Sequence, residues 1–113
     1  MDRLIQPLPP ASFFVLFALS EGDKHGYAIM QDARRLSDGS FRMGPATLYT
    51  TIQRLLEAGW IEEVPGPAES DSRRRYYRLT DDGTAALDGE LKRMESVVRK
   101  SKAMRLRQGE SAI

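Results

Sequence analysis

The 113-residue chain sets 17 Lys and Arg against 16 Asp and Glu, with 41% apolar and 29% charged residues; this composition fits one small globular domain and excludes a disordered tail. It has no cysteine and one histidine, His25, which excludes disulfides, thiolate chemistry and a multi-His zinc site and leaves the chain poorly equipped for catalysis. The longest apolar run, Phe13 to Leu19, is far short of the roughly 20 residues a membrane span needs, and residues 1–7 do not read as a secretory signal. The expected setting is therefore soluble and cytoplasmic, with no cofactor and no membrane partner.

Pro7, Pro9 and Pro10 keep the first ten residues irregular, and Pro10 suits the first position of a helix. That helix is expected from about Pro10 to Ser20. It is apolar on nearly all sides, the pattern of a helix buried on more than one face. Glu21-Gly22-Asp23 breaks it. A second helix, Gly26 to Leu36, places Tyr27, Ile29, Met30, Ala33 and Leu36 near a 3.6-residue period. Gly44-Pro45 opens a third, with Leu48, Ile52, Leu55 and Leu56 as its apolar stripe and Gly59 as its stop. Two β-like runs follow, 60–64 and 75–79, around a stretch rich in turn formers, and read as a hairpin. Thr80 reads as the N-cap of a last helix, with Asp81 and Asp82 at the positive end of its dipole. This helix is expected over about 81–107, with 109–113 frayed. Its Leu87, Leu91, Met94 and Val98 recur at +4, +3, +4.

Three helices, a hairpin and a further helix follow the order of a winged helix-turn-helix. The fold class is mainly α with a small β-hairpin, with residues 1–80 as the winged unit and 81–113 as a C-terminal dimerisation helix and tail. Burying the stripe of the third helix leaves Thr47, Thr50, Gln53 and Arg54 on its other faces, with Tyr49 flanking. These side chains hydrogen-bond and are long enough to reach base edges or phosphates, on a helix that fits the major groove of double-stranded DNA. The alternative is a plain solvated face. Arg73, Arg74 and Arg75 lead a run, closed by Arg78, that no acid interrupts. They sit where guanidiniums reach phosphates or the minor groove, or where charge guards an edge strand. A second basic stretch, 99–107, reads as a solvated helix end. His25 reads as a structural side chain that caps or packs at the start of the second helix.

The last helix, roughly 40 Å long, outreaches the domain before it, and its exposed seam implies a partner. A homodimer is the economical answer, with Leu87, Leu91, Met94 and Val98 meeting Phe13, Phe14 and Phe17 of the first helix; the alternative is packing back onto the first helix of the same chain, and both can hold, with the first helix between the winged unit and the partner's last helix. Two third helices then stand about one DNA turn apart on a near-palindromic site.

Four stretches in fixed order carry a family resemblance. They are Leu19-Ser20-Glu21-Gly22 followed by His25-Gly26-Tyr27-Ala28-Ile29; Gly44-Pro45-Ala46-Thr47-Leu48-Tyr49; Arg54-Leu55-Leu56-Glu57-Ala58-Gly59-Trp60-Ile61; and Arg73-Arg74-Arg75-Tyr76-Tyr77-Arg78-Leu79-Thr80-Asp81-Asp82-Gly83. Over roughly residues 11–90 the chain resembles the PadR family of bacterial transcription regulators, in its small subgroup with a single C-terminal helix. The resemblance implies a repressor that binds operator DNA as a homodimer, its C-terminal helix packing against the partner. Carried over by position, Thr47 and Tyr49 belong to the DNA-facing helix and Arg73 to Arg75 to the wing. Ala46 stands where the family often has Gly. Some small members hold flat aromatic compounds between tryptophans at the dimer interface; here the last helix has no aromatic, and the only tryptophan is Trp60. A small-molecule effector is left without an identity. Winged helices also serve as protein-docking modules that bind no DNA, and affinity for duplex DNA separates the two readings. A metal-dependent nuclease would need clustered carboxylates; capping accounts for Asp81 and Asp82.

Overall fold

The computed structural model describes residues 7–68 and 74–111, so Arg73 lies outside the described residues. Pro10 opens α1 (Pro10–Leu19), which buries Phe13, Val15, Leu16, Ala18 and Leu19. Three other helices pack around it: α2 (Gly26–Leu36), α3 (Pro45–Ala58) and the N-terminal part of α4 (Asp81–Ser111). This is why a helix with no polar face is stable here: its apolar surface is covered from several directions. Ile29 and Ala33 of α2 and Leu48, Ile52 and Leu55 of α3 complete the core. The spacing of those residues is the one the sequence predicts. Gly59 ends α3 in the left-handed region at φ 77°, a conformation cheap only for glycine.

The sheet has three strands where the sequence suggests two. β2 (Ile61–Val64) and β3 (Tyr76–Leu79) form the expected hairpin, with Ile61 opposite Leu79 and Val64 opposite Tyr76. A two-residue strand, β1 (Lys24–His25), pairs with the other edge of β3, giving the antiparallel order β1-β3-β2. Charge holds β1 in place. Lys24 pairs with Asp32 of α2 and with Glu21, and Arg35 reaches Glu21 at 2.8 Å and Asp32 at 3.2 Å. Burial pushes the Asp32 carboxyl up, but hydrogen bonds from Lys24 and Arg35 outweigh it and hold the group below its ordinary value.

Thr80 joins the wing to α4. Its hydroxyl donates to the Gly59 carbonyl at 2.6 Å and accepts from the Gly83 N–H at 3.1 Å. Its own N–H donates to the Trp60 carbonyl at 3.0 Å. The N-cap inferred from sequence is therefore present and is also tied to the end of α3.

Within α4, Ala86, Leu87 and Glu90 are buried. The Glu90 carboxylate is only 1% exposed and takes two hydrogen bonds from Arg93, at 2.8 and 3.0 Å. That pairing holds its carboxyl below the ordinary value. The helix continues to Ser111, so 109–111 are helical where fraying is expected. Past Met94 it leaves the core as a rod. The radius of gyration, 17.2 Å, exceeds the roughly 13 Å of a compact domain of this length. Among the described residues, no helix is long and apolar enough to cross a membrane.

The residues expected at an interface divide by burial within the protomer. Phe13 and Leu87, expected at a dimer interface, are 8% and 4% exposed and belong to the protomer's own core. Phe14, Phe17, Leu91 and Met94 are half-buried against that core. Val98 is exposed, and so are Val97, Met104 and Leu106, which the seam reading passes over.

Candidate nucleic-acid interface

The apolar stripe of α3 fixes the rest of its surface. With Leu48, Ile52 and Leu55 turned inward, Thr47, Tyr49, Thr50, Gln53 and Arg54 are all exposed, as the sequence expects. Thr51, one position away, is buried. Gln53 donates to Glu57 one turn on, at 3.3 Å. Arg54 has no ion pair among the described residues and borders a hollow of about 290 Å³ with Thr47, Thr50 and Ser12 of α1.

The wing stands beside this face. Arg74 and Arg75 are exposed and share with Tyr49 a concave surface of about 390 Å³, closed by His25, Tyr27 and Tyr77. Gly26 lets α2 approach Tyr49: a Cβ there would lie 2.7 Å from the Tyr49 hydroxyl. Tyr49 of α3, the start of α2 and the wing thus meet at one point. The basic run is weaker than its sequence suggests. Arg78 is bound by Asp23 through two hydrogen bonds at 2.8 and 3.1 Å. Arg75 reaches Glu63 at 3.4 Å. Arg74 has no carboxylate partner among the described residues.

His25 is the N-cap of α2. Its Nδ1 accepts from the Ala28 N–H at 3.3 Å, its ring meets Tyr76 edge-on at 5.3 Å, and its Nε2 lies 3.1 Å from Arg74. The capping role expected from sequence is present; the junction with Arg74, 49 residues away, is invisible to local reading. Burial first, and the Arg74 charge second, hold the imidazole below its ordinary value. The unfolded chain then binds more protons near its own value of about 6.5, so stability rises with pH across that range. The contribution is complete above the unfolded value and is lost as pH falls through the folded one. The thermal midpoint is expected to drop between pH 7.5 and 5.5, and His25→Asn to flatten that dependence. The carboxylates of Glu21, Asp32 and Glu90, all held low, titrate below this window.

No group of three or more metal-binding side chains occurs among the described residues. A three-helix core, a wing, and an exposed hydrogen-bonding helix face between them define a winged-helix protein of the kind that binds nucleic acid. Residues 15–89 match the Transcriptional regulator PadR-like family, and the chain belongs to that family. A transcriptional regulator of Mycobacterium tuberculosis, Rv3488, is 34% identical over 86 residues, covering 75% of this chain and 76% of its own. Among solved structures, a transcriptional regulator from Clostridium thermocellum superposes with a TM-score of 0.68 at 28% identity, covering 82% of this chain and 87% of the other. Bacillus subtilis PadR in complex with operator DNA superposes with a TM-score of 0.62 at 21% identity, covering 71% and 45%; at that identity the likeness is one of fold.

Proposed function

We propose that this chain is a dimeric repressor of transcription that reads near-palindromic operator DNA. The third helix supplies base contacts from Thr47, Tyr49, Thr50, Gln53 and Arg54, and the wing supplies backbone or minor-groove contacts from Arg74 and Arg75, with Arg73 of the same run. The observation that carries the reading is that Tyr49 of α3 lines one concave surface with Arg74 and Arg75 of the wing, on a helix whose Thr47, Thr50, Gln53 and Arg54 are exposed. Membership of a family of transcription regulators, and a neighbour of the same fold described in complex with operator DNA, support it. The outer half of α4 brings two copies together. An effector of unidentified chemistry acts by binding one dimer geometry better than the other.

Charge substitutions test the reading. In Arg74→Ala with Arg75→Ala, affinity is expected to fall on every duplex, and the slope of log affinity against log salt to flatten by roughly 0.9 for each phosphate left unneutralised. Gln53→Ala or Arg54→Ala instead relaxes the preference for a selected duplex over a scrambled one. Titrations in which neither change alters binding would sink the assignment and favour a protein-docking module.

A further inference from the structure

Neutral imidazole carries one proton for two ring nitrogens. At His25 both nitrogens face donors: the Ala28 N–H at 3.3 Å from Nδ1, and an Arg74 guanidinium nitrogen at 3.1 Å from Nε2. A ring that accepted from both would hold no proton, so one of the two is not a hydrogen bond. The Ala28 amide lies in the first turn of α2, where it has no backbone acceptor, and leaving it open is costly. Arg74 is exposed and can turn to water. The cap therefore fixes the tautomer, with Nδ1 bare and the proton on Nε2.

Two N–H groups then confront each other across 3.1 Å with no acceptor between them. Both open onto the hollow shared with Tyr27, Tyr49 and Arg75, and no carboxylate among the described residues reaches Arg74. Convergent donors around an open hollow suit an anionic oxygen. We propose that His25 Nε2–H and Arg74 together grip one phosphodiester of the DNA backbone, on the strand that passes between the groove read by α3 and the groove reached by the wing. This rests on the DNA-binding reading above and gives it a fixed point. The His25 hydrogen bond comes from a neutral ring, whose basicity burial and Arg74 depress, so it adds orientation without adding charge.

The test uses the full chain and a duplex that the protein itself selects from a random pool. His25→Asn keeps a strong N-cap residue but not the reach of the ring. Its thermal midpoint at pH 7.5 is expected to stay near wild type, its affinity to fall roughly ten-fold, as when a hydrogen bond to a charged group is removed, and its salt slope to hold. Arg74→Ala is expected to weaken binding and flatten the slope by roughly 0.9. A set of duplexes, each with one neutral methylphosphonate, locates the grip: one position per half-site penalises wild type but neither variant. If both variants match wild type, or every methylphosphonate affects all three proteins alike, the grip does not exist, though DNA binding stands. If wild type selects no duplex, the reading beneath it has failed as well. Should His25→Asn unfold, Arg74→Ala with the methylphosphonate set decides alone.

Discussion

Replacing Val97 and Val98 together by Asp is expected to lower affinity for a near-palindromic duplex by about two to four orders of magnitude, the gain normally made by tethering two binding sites. Both side chains are more than half exposed on a helix that has already left its own core. Val97 and Met104 stand seven residues apart and so share a face. Burying such a stripe in a second copy is favourable; placing carboxylates on it opposes association by desolvation and like-charge repulsion. The protomer keeps its helical content, because neither residue touches the core cluster. Sedimentation velocity and a DNA titration read the outcome. A variant that remains dimeric and binds as tightly as wild type would overturn the role given to the outer half of α4.

Gly83→Ala is the second large effect, and it acts on folding. A methyl group there would run into the Trp60 carbonyl, with the Leu79 side chain 3.2 Å away. That carbonyl is backbone and already accepts from Thr80, so it cannot swing aside. Either α4 shifts and breaks the Thr80 cap, or β2 moves away from the end of α3. The expected cost is about 3 kcal/mol, the upper part of the range for forced overpacking. Urea denaturation measures it. Gly109→Ala is the control: nothing lies within 4 Å of its added Cβ, so stability should hold level or rise. A Gly83→Ala protein as stable as wild type would mean that the junction is looser than its hydrogen bonds imply.

The helices are legible in the sequence because their signals are local. Pro10 and Pro45 mark starts, Gly59 marks a stop, and the stripe Leu48, Ile52, Leu55 follows helical spacing. The exposed side of α3 follows directly, as what the stripe leaves over. β1 is not legible, because two residues, Lys24 and His25, carry no alternation to read; it exists because β3 offers an open edge. The seam of α4 shows in its period, but periodicity names a face and not the surface that covers it. It therefore leaves open whether Leu87 meets a partner or the chain's own first helix, and the structure buries that side chain in the chain's own core. Arg78 looks like part of a basic patch because Asp23, which neutralises it, lies 55 residues away. The same limit hides the meeting of His25 and Arg74. In each case sequence reveals what a residue can do and leaves open which distant group it does it with.

The Thr80 junction also has a mechanical consequence. Its hydrogen bonds to Gly59, Trp60 and Gly83 weld the root of α4 to the end of α3. The 31-residue shaft is about 46 Å long. A rigid turn of about 10° at its root sweeps the far tip through roughly 8 Å by the same geometry. Run in reverse, in the dimer proposed for this chain, a displacement of several ångströms at the far end of the shaft becomes a tilt of only a few degrees at the winged unit. The shaft would therefore gear motion down, turning coarse movement at its tip into fine adjustment of the angle at which the proposed dimer presents its two winged units.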